Sequence, residues 1–135
     1  MELQGLSQEE IKLVERAKKL AKDRKSEISE TSAVIKTSSG KIYEGVNMMF
    51  DMLHPISICA EYSATAQMVT ADEKEIETIA IARYRNSRFD IPTPCGKCRQ
   101  LLSYFGNPDV IIEIENKLKK VKLKDLLPLA YNNKS

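Results

Sequence analysis

The sequence lacks the features that typify a membrane protein, a disulfide-rich scaffold or a nucleic-acid-binding protein. Its 135 residues include no apolar run of about 18 residues, the length that spans a bilayer. Three cysteines are an odd number, which cannot pair completely into a disulfide framework. Lys and Arg total 21 against 19 Asp and Glu, a net charge of +2 that is mixed along the chain. Such a balance does not call for a polyanionic partner.

The first ten residues, MELQGLSQEE, also lack the basic and then apolar pattern of a secretory signal. A reducing compartment would keep the thiols free for metal binding or catalysis. We therefore expect a cytoplasmic protein with no membrane or nucleic-acid partner, in which the run KLKKVKLK forms a solvated face. A chain of this length is expected to fold as a single domain over residues 1–135.

Periodicity and turn residues predict the elements of secondary structure. Ser7 and Glu10 form a capping-box pattern, and apolar residues then recur at helical spacing, which predicts a helix over residues 8–24. Further helices are predicted over residues 59–71 and 95–105, with a short final one within 123–131. Strands are predicted on both sides of the turn at 38–40, at 76–85 and 109–115, and after the polar turn near 116. The tail NNKS is expected to fray.

The order of these elements determines the fold class. Helices and strands alternate with two hairpin signals, which is typical of an α/β protein with both parallel and antiparallel neighbours. We therefore predict a layered α/β/α domain around a mixed sheet of roughly five strands.

Cysteines stand at the start of two predicted helices. Cys59 opens the segment CAE, and Cys95 and Cys98 lie in PTPCGKC. Thiolates are stabilised at helix N-termini by the dipole and by unpaired N–H groups, so the three sulfurs would meet if the two helix ends converge. Three thiolates suit zinc, and a catalytic zinc site keeps its fourth position for water, whose pKa falls from about 15.7 to about 7. His54, the single histidine, could instead close a structural Cys3His site.

Glu61 is the candidate acid and base. It follows Cys59 by two residues and could reach a water at the metal without binding the metal itself. A ligand followed by x-Glu, and later by Pro-Cys-x-x-Cys, is the signature of the zinc deaminases.

These motifs resemble those of the cytidine deaminase superfamily. The resemblance runs from GVN through ICAEYSA and PTPCGKCRQLL to LLPLAY, and it is strongest to the small homotetrameric cytidine deaminases and to blasticidin-S deaminase. It implies a cytidine deaminase-like fold, one Zn²⁺ per subunit held by Cys59, Cys95 and Cys98, and a proton shuttle at Glu61. It also implies a homo-oligomer, expected to be a tetramer, that deaminates a cytosine nucleoside at C4 in pyrimidine salvage.

The resemblance also implies substrate contacts. Asn47 matches an asparagine that contacts the sugar, although an asparagine after a strand can also merely form a turn. The backbone around Ala60 and at Pro94 would hold the pyrimidine edge. Tyr131 matches an aromatic residue near the C-terminus that closes the site, often the site of a neighbouring subunit.

Two positions depart from the cytidine deaminase pattern. Met49 stands where those enzymes carry a glutamate that holds the ribose 3′-hydroxyl, which makes ordinary cytidine a less obvious substrate. Tyr62 stands where three-cysteine cytidine deaminases tend to carry an arginine that offsets thiolate charge, so helix N-termini and Arg99 would have to compensate. Blasticidin-S deaminase lacks both features as well.

The sequence therefore predicts a zinc-dependent hydrolase that deaminates a free cytosine nucleoside to its uracil product and ammonia. The alternative within the class is a deaminase of blasticidin S or a related modified nucleoside. From another class, the alternative is a non-catalytic Cys3His protein that zinc stabilises for binding or assembly. The apolar loop from Met48 to Leu53 is expected to pack against another subunit, because a monomer would leave it exposed.

Overall fold

The computed structural model describes residues 1–132. The first helix, α1, spans Gln8–Asp23 and ends one residue before the predicted position. It begins as the sequence predicts, because the Ser7 hydroxyl accepts a hydrogen bond from the Glu10 N–H at 3.2 Å and the Glu10 carboxylate accepts one from the Ser7 N–H at 2.7 Å. None of the helices in residues 1–132 has both the length and the apolar character that crossing a membrane requires.

One mixed sheet runs through the described chain. Its spatial order is β2-β1-β3-β5-β6, with β4 paired to β3. Within residues 1–132, β3 and β5 are the only parallel neighbours, and the other strand pairs are antiparallel. The strands are β1 Thr31–Thr37, β2 Ile42–Val46, β3 Ile76–Arg85, β4 Arg88–Asp90, β5 Asp109–Ile114 and β6 Lys117–Lys122.

Three shorter helices follow α1 in the described part of the chain. They are α2 Ala60–Thr70, α3 Gly96–Leu102 and α4 Leu123–Leu126. Two single 3₁₀ turns accompany them, at His54–Ile56 and Ser103–Phe105. The second 3₁₀ turn occupies the end of the third helix that the sequence predicts. The last turn of this helix narrows from α to 3₁₀ geometry just before Gly106, whose φ is +103°.

Helices cover both faces of the sheet. On one face, Val14 and Ala17 of α1 pack on Val34 of β1 and Ala80 of β3. On the other face, α2 buries Ala60, Ala64 and Met68. Those residues pack on alternate strand positions, among them Ala33, Ile35, Ile79 and Ile81. The predicted α/β/α layering is therefore confirmed.

The sheet contains a sixth strand, β4, that the sequence pattern does not predict. Arg85 pairs with Arg88, so a two-residue turn joins β3 to β4. Asn86 and Ser87 in that turn have φ values of 53° and 58°, which is the conformation of a type I′ hairpin turn. The usual sequence signal of such a turn is Asn-Gly. Here Ser87 follows Asn86, so the sequence does not carry that signal. The sequence also predicts that the tail NNKS frays. Apart from Asn132, the residues of this tail lie outside the described part of the chain.

Candidate active site

Three cysteine side chains meet where two helices begin. Cys59 is the N-cap of α2 and Cys95 is the N-cap of α3, while Cys98 lies in the first turn of α3. Their sulfur atoms all lie within 4.8 Å of one another. The structure therefore brings together the three thiols that the sequence pattern expects to converge.

The sulfur positions suit a zinc ion. Zn–S bonds of about 2.3 Å at tetrahedral angles place sulfurs about 3.8 Å apart, and separations of at most 4.8 Å require only a small adjustment. In residues 1–132 no histidine or carboxylate joins the three thiols as a fourth ligand. His54 is exposed in its 3₁₀ turn and lies outside the group. The Cys3His site that the sequence allowed is not formed, and the donor set is that of an open, three-thiolate zinc site.

The three thiols differ in their electrostatic surroundings. Burial raises the pKa of Cys98, and the charges of Glu61 and Cys59 raise it further. Burial also raises the pKa of Cys59. Burial acts in the same direction on Cys95, but hydrogen bonds from the backbone N–H and thiol of Cys98 and from the Lys97 N–H hold its pKa below the usual value. The N–H groups at the start of α3 thus favour the thiolate of Cys95.

Glu61 lies beside the cysteines in the first turn of α2. Only 5% of the residue is exposed, and this burial raises its pKa, opposed by hydrogen bonds from its own backbone N–H and from the Cys98 thiol. A carboxyl group with a raised pKa gives up and regains a proton more easily near neutral pH. Glu61 is not among the clustered metal-ligand atoms, so its carboxyl group can serve in proton transfer.

A cavity of about 380 Å³ lies in front of Cys59 and Glu61. Asn47 and Ala60 line it as well. Its volume falls within the range of about 300–1,000 Å³ that is usual for small-ligand sites. The rest of the lining comes from β1, β3 and the adjoining loops: Glu27, Glu30, Thr31, Met49, Asp51, Ile81, Arg83, Arg85, Pro92 and Thr93.

Comparison with known proteins places this site in a family. The family model for the cytidine and deoxycytidylate deaminase zinc-binding region matches residues 7–114. The chain belongs to this deaminase family. Such deaminases are hydrolases that act on C–N bonds, and the chain is an enzyme of this type.

Two relatives and a solved structure illustrate the similarity. Blasticidin-S deaminase of Bacillus cereus is 32% identical over 138 residues, which cover 94% of this chain and 95% of the relative. Cytidine deaminase of Mycoplasma genitalium is 30% identical over 93 residues, covering 67% of this chain and 69% of the relative. The crystal structure of the cytidine deaminase from Bacillus anthracis has a TM-score of 0.77 at 21% identity, covering 90% of this chain and 89% of that one. The last similarity is one of fold.

Two of the predicted substrate contacts are not among the residues that line the cavity of this deaminase chain, although Thr93, the neighbour of Pro94, does line it. Pro94 is buried, and its carbonyl accepts a 2.7 Å hydrogen bond from the Arg99 guanidinium. Tyr131 is 71% exposed and lines a separate cavity of about 460 Å³ between the second 3₁₀ turn and α4. Its carbonyl accepts a hydrogen bond of 3.0 Å from the Gln100 side chain. Within one chain, therefore, the structure does not bring Tyr131 to the cysteine group.

The deaminase cavity has charged side chains at its rim that the sequence motifs do not predict. The Arg85 guanidinium donates a hydrogen bond of 2.6 Å to the Glu30 carboxylate. Arg83 donates to Asp90 of β4, and one of these bonds is 3.0 Å long. Arg83 and Arg85 lie on either side of Tyr84 at the end of β3, where the strand changes from apolar to basic residues. This change in composition is the sequence signal that could have indicated a charged rim.

Proposed function

We propose that the chain is a zinc-dependent hydrolase that removes the C4 amino group of a free cytosine nucleoside, using water and releasing ammonia and the uracil product. The observation that carries the proposal is the group of three sulfurs beside a buried glutamate at the cavity. Cys59, Cys95 and Cys98 would hold one Zn²⁺ per chain. Bound there, zinc would supply a water acidic enough to act as a nucleophile at neutral pH.

Glu61 would carry the protons of this reaction. Its carboxylate would take a proton as water adds to C4 and pass it to the ring nitrogen N3. It would then take the proton of the new C4 hydroxyl and give it to the departing amine, so that the C4–N bond breaks and the uracil carbonyl forms. The raised pKa of Glu61 supports this role, because the group must be a base in one step and an acid in the next. Burial on the first turn of α2 also holds the carboxyl group in one position.

The substrate would lie in the cavity with its pyrimidine ring toward the cysteines. The side-chain amide of Asn47 would donate to the sugar, and the backbone of Ala60 would hold the pyrimidine edge. Pro94 would contribute through its backbone beside Cys95. Tyr131 would close the site of a neighbouring subunit, a role that fits its exposure in a single chain.

A substrate screen tests the proposal. The zinc-loaded protein is incubated with cytidine, deoxycytidine, cytosine and blasticidin S, and ultraviolet absorbance and ammonia release are followed. We expect turnover of at least one nucleoside and none with a Glu61→Gln variant. If no cytosine compound is turned over, the proposal is wrong.

A second candidate substrate is a cytosine nucleoside with a cationic substituent, of which blasticidin S is an example. Glu27 and Asp51 line the cavity, and in residues 1–132 neither carboxylate has a hydrogen-bond or ion-pair partner. Met49 lines the same cavity and offers no charged acceptor to a ribose hydroxyl. Two free carboxylates at a cavity rim would attract a cation. The similarity to blasticidin-S deaminase over 94% of the chain points in the same direction.

Removing these carboxylates separates the two substrate classes. In a Glu27→Gln, Asp51→Asn variant we expect KM for blasticidin S to rise about tenfold, since two charge contacts are lost, while KM for cytidine changes little. An equal change in KM for both substrates would contradict a role of the two carboxylates in recognising the charge of the substrate.

We propose further that the enzyme acts as a homotetramer in the cytoplasm. Met52, Leu53 and Ile56 form an apolar surface on the loop before α2, and Met52 is 92% exposed. Such a surface is unfavourable in water and would be buried against another copy. Light scattering should give four times the mass of the chain, and Met52→Gln with Leu53→Gln should lower it.

A further inference from the structure

The hairpin of β3 and β4 carries arginines that the proposed reaction does not use. Ile81 of β3 is buried in the same core cluster as the residues of α2, and alternate residues of a strand share a face. Arg83 and Arg85 continue this row beyond the core, and both line the catalytic cavity. Tyr84 belongs to the opposite face, where the Lys22 ammonium group of α1 lies 5.7 Å from its ring centre. The two arginines therefore lie on the catalytic side of the sheet.

Arg88 of β4 joins them on this face. It pairs directly with Arg85, and opposite residues of antiparallel strands project from the same side of the sheet. Arg88 is exposed, and within residues 1–132 it has no hydrogen-bond or ion-pair partner. A groove of about 200 Å³ is lined by Arg83, Arg85 and Arg88. Because the first two also line the catalytic cavity, the groove adjoins that cavity.

The carboxylates near the hairpin do not balance these charges. Asp90 accepts a hydrogen bond of 3.0 Å from Arg83. Glu30 accepts one of 2.6 Å from Arg85, and the Lys25 ammonium group lies 3.6 Å from the same carboxylate. One carboxylate thus serves two cations. Together with the arginine of β4 that has no partner in the described chain, these side chains leave an excess of positive charge at the hairpin.

The arginines lie beside the sugar in the proposed binding mode. The Asn47 side-chain oxygen accepts from the Glu30 N–H at 2.9 Å, and the Glu30 carboxylate in turn holds Arg85. Since Asn47 is proposed to contact the sugar, Arg85 lies on the sugar side of the substrate and away from the pyrimidine ring. This step rests on the proposed function. Asp51, on the acidic part of the rim, follows β2, which lies on the other side of β1 from β3.

We propose that Arg85 and Arg88 form a subsite for an anionic group on the sugar, so that the preferred substrate is a cytosine nucleoside bearing a phosphate or a carboxylate there. Guanidinium groups bind both anions through paired N–H donors. Two like charges directly opposite each other in a sheet are unfavourable, and an anion between the two arginines would remove that repulsion. The 5′ carbon is the ribose carbon that projects from the sugar ring, and the anion is therefore placed on it.

Calorimetric titration tests the inference without turnover. The zinc-loaded full chain is titrated with uridine, uridine 5′-monophosphate and uridine 5′-carboxylate, which correspond to reaction products and are not consumed. We expect at least one of the two anionic compounds to bind about tenfold more tightly than uridine at low salt. This advantage should shrink at high salt, because the subsite is exposed to solvent. The compound that binds more tightly identifies phosphate or carboxylate as the anion, and kcat/KM of the matching cytosine compounds should follow the same order.

Three variants locate the effect. Arg88→Gln should weaken binding of the preferred anionic compound about fivefold and leave the affinity for uridine unchanged. Arg88→Lys keeps the charge but not the paired donors, so it should keep part of the advantage. Lys41→Gln is the matched control, because Lys41 is an exposed cation at the turn between β1 and β2, at the other end of the sheet. It should bind all three compounds as the unsubstituted chain does.

The outcomes separate the inference from the proposed function. If both anionic compounds bind no more tightly than uridine while cytidine is deaminated, the inference is wrong and the proposed function stands. An advantage that persists in Arg88→Gln, or that falls equally in Lys41→Gln, would also overturn the inference, because the anion would then be attracted by the general charge of the chain. No turnover of any cytosine compound would refute the proposed function, and the inference with it, since the arginines would have no substrate to select.

Discussion

The side-chain oxygen of Asn47 accepts a hydrogen bond of 2.9 Å from the backbone N–H of Glu30. The same oxygen accepts from the Thr31 N–H at 3.0 Å and from the Ser29 hydroxyl at 3.2 Å. Asn47 thus holds the segment that enters β1 beside the end of β2. The side chain also lines the cavity, and in residues 1–132 its amide N–H groups have no partner. One side of the amide therefore maintains the fold while the other remains available to a substrate.

This division predicts different effects for two substitutions. Asn47→Ala leaves the N–H groups of Glu30 and Thr31 without an acceptor and should lower the free energy of unfolding by about 2–3 kcal/mol. Asn47→Asp keeps the acceptor and loses the donor, so it should preserve most of the stability and raise KM for the nucleoside. Urea unfolding and steady-state kinetics measure the two effects. Equal destabilisation by both substitutions would contradict the division.

Glu61→Gln separates proton transfer from metal binding. Since the glutamate is not part of the cysteine group, the variant should still bind one zinc per chain, measured by metal analysis. Deamination should fall by a factor of about 10²–10⁴, the usual contribution of a general acid–base group. Glu113→Gln, on the exposed end of β5, is the matched control and should retain full activity. Full activity of Glu61→Gln would exclude the assigned role.

Parts of the site that lie on short contiguous segments are predictable from the sequence. Cys59 and Glu61 belong to one helical turn, and Cys95 and Cys98 belong to another, so each segment carries both the ligand chemistry and the helix-start signal. The alternation of buried residues in β1 and β3 likewise predicts the layers of the fold. Only the convergence of the two helix ends requires the tertiary structure.

The rim of the cavity is not predictable in the same way. Glu27 and Asp51 lie in loops, which have no periodicity that would place a side chain in space. Arg83 reaches its position through pairing with Asp90, and that pairing depends on a hairpin turn without glycine.

Gly45 permits a close approach between β2 and α2. A Cβ atom at Gly45 would lie 2.5 Å from the Ala64 nitrogen and 2.5 Å from the Ser63 hydroxyl oxygen. Gly45→Ala should therefore push α2 away from the sheet and lower the free energy of unfolding by about 1–3 kcal/mol. Zinc affinity should fall with it, because α2 carries one of the sulfurs. Gly5→Ala is the matched control, since no atom lies within 4 Å of the added carbon. An unchanged unfolding curve for Gly45→Ala would show that the two elements can separate without cost.

The ion pair between Glu10 and Lys120 predicts a pH dependence of stability. The Lys120 ammonium lies 2.8 Å from the Glu10 carboxylate and joins the start of α1 to β6. Burial alone would raise the pKa of Glu10, but hydrogen bonds from Lys120 and from the Ser7 N–H outweigh it and hold the pKa below the usual value of 4.5. A carboxyl group with a lowered pKa stabilises the folded state above its unfolded pKa, and this contribution is lost as the pH falls through the folded value.

Glu10→Gln tests this dependence. At pH 7 the variant should unfold with a free energy lower by about 1 kcal/mol, since a charged hydrogen bond between two largely buried groups is lost. As the pH is lowered through the region below 4.5, the difference between the two proteins should shrink toward zero, because Glu10 of the unsubstituted chain becomes neutral as well. Urea titrations at several pH values measure the difference, and Glu2→Gln in the exposed N-terminal segment serves as the control. A difference that stays constant with pH would mean that Glu10 stabilises α1 through its neutral capping hydrogen bonds and not through its charge.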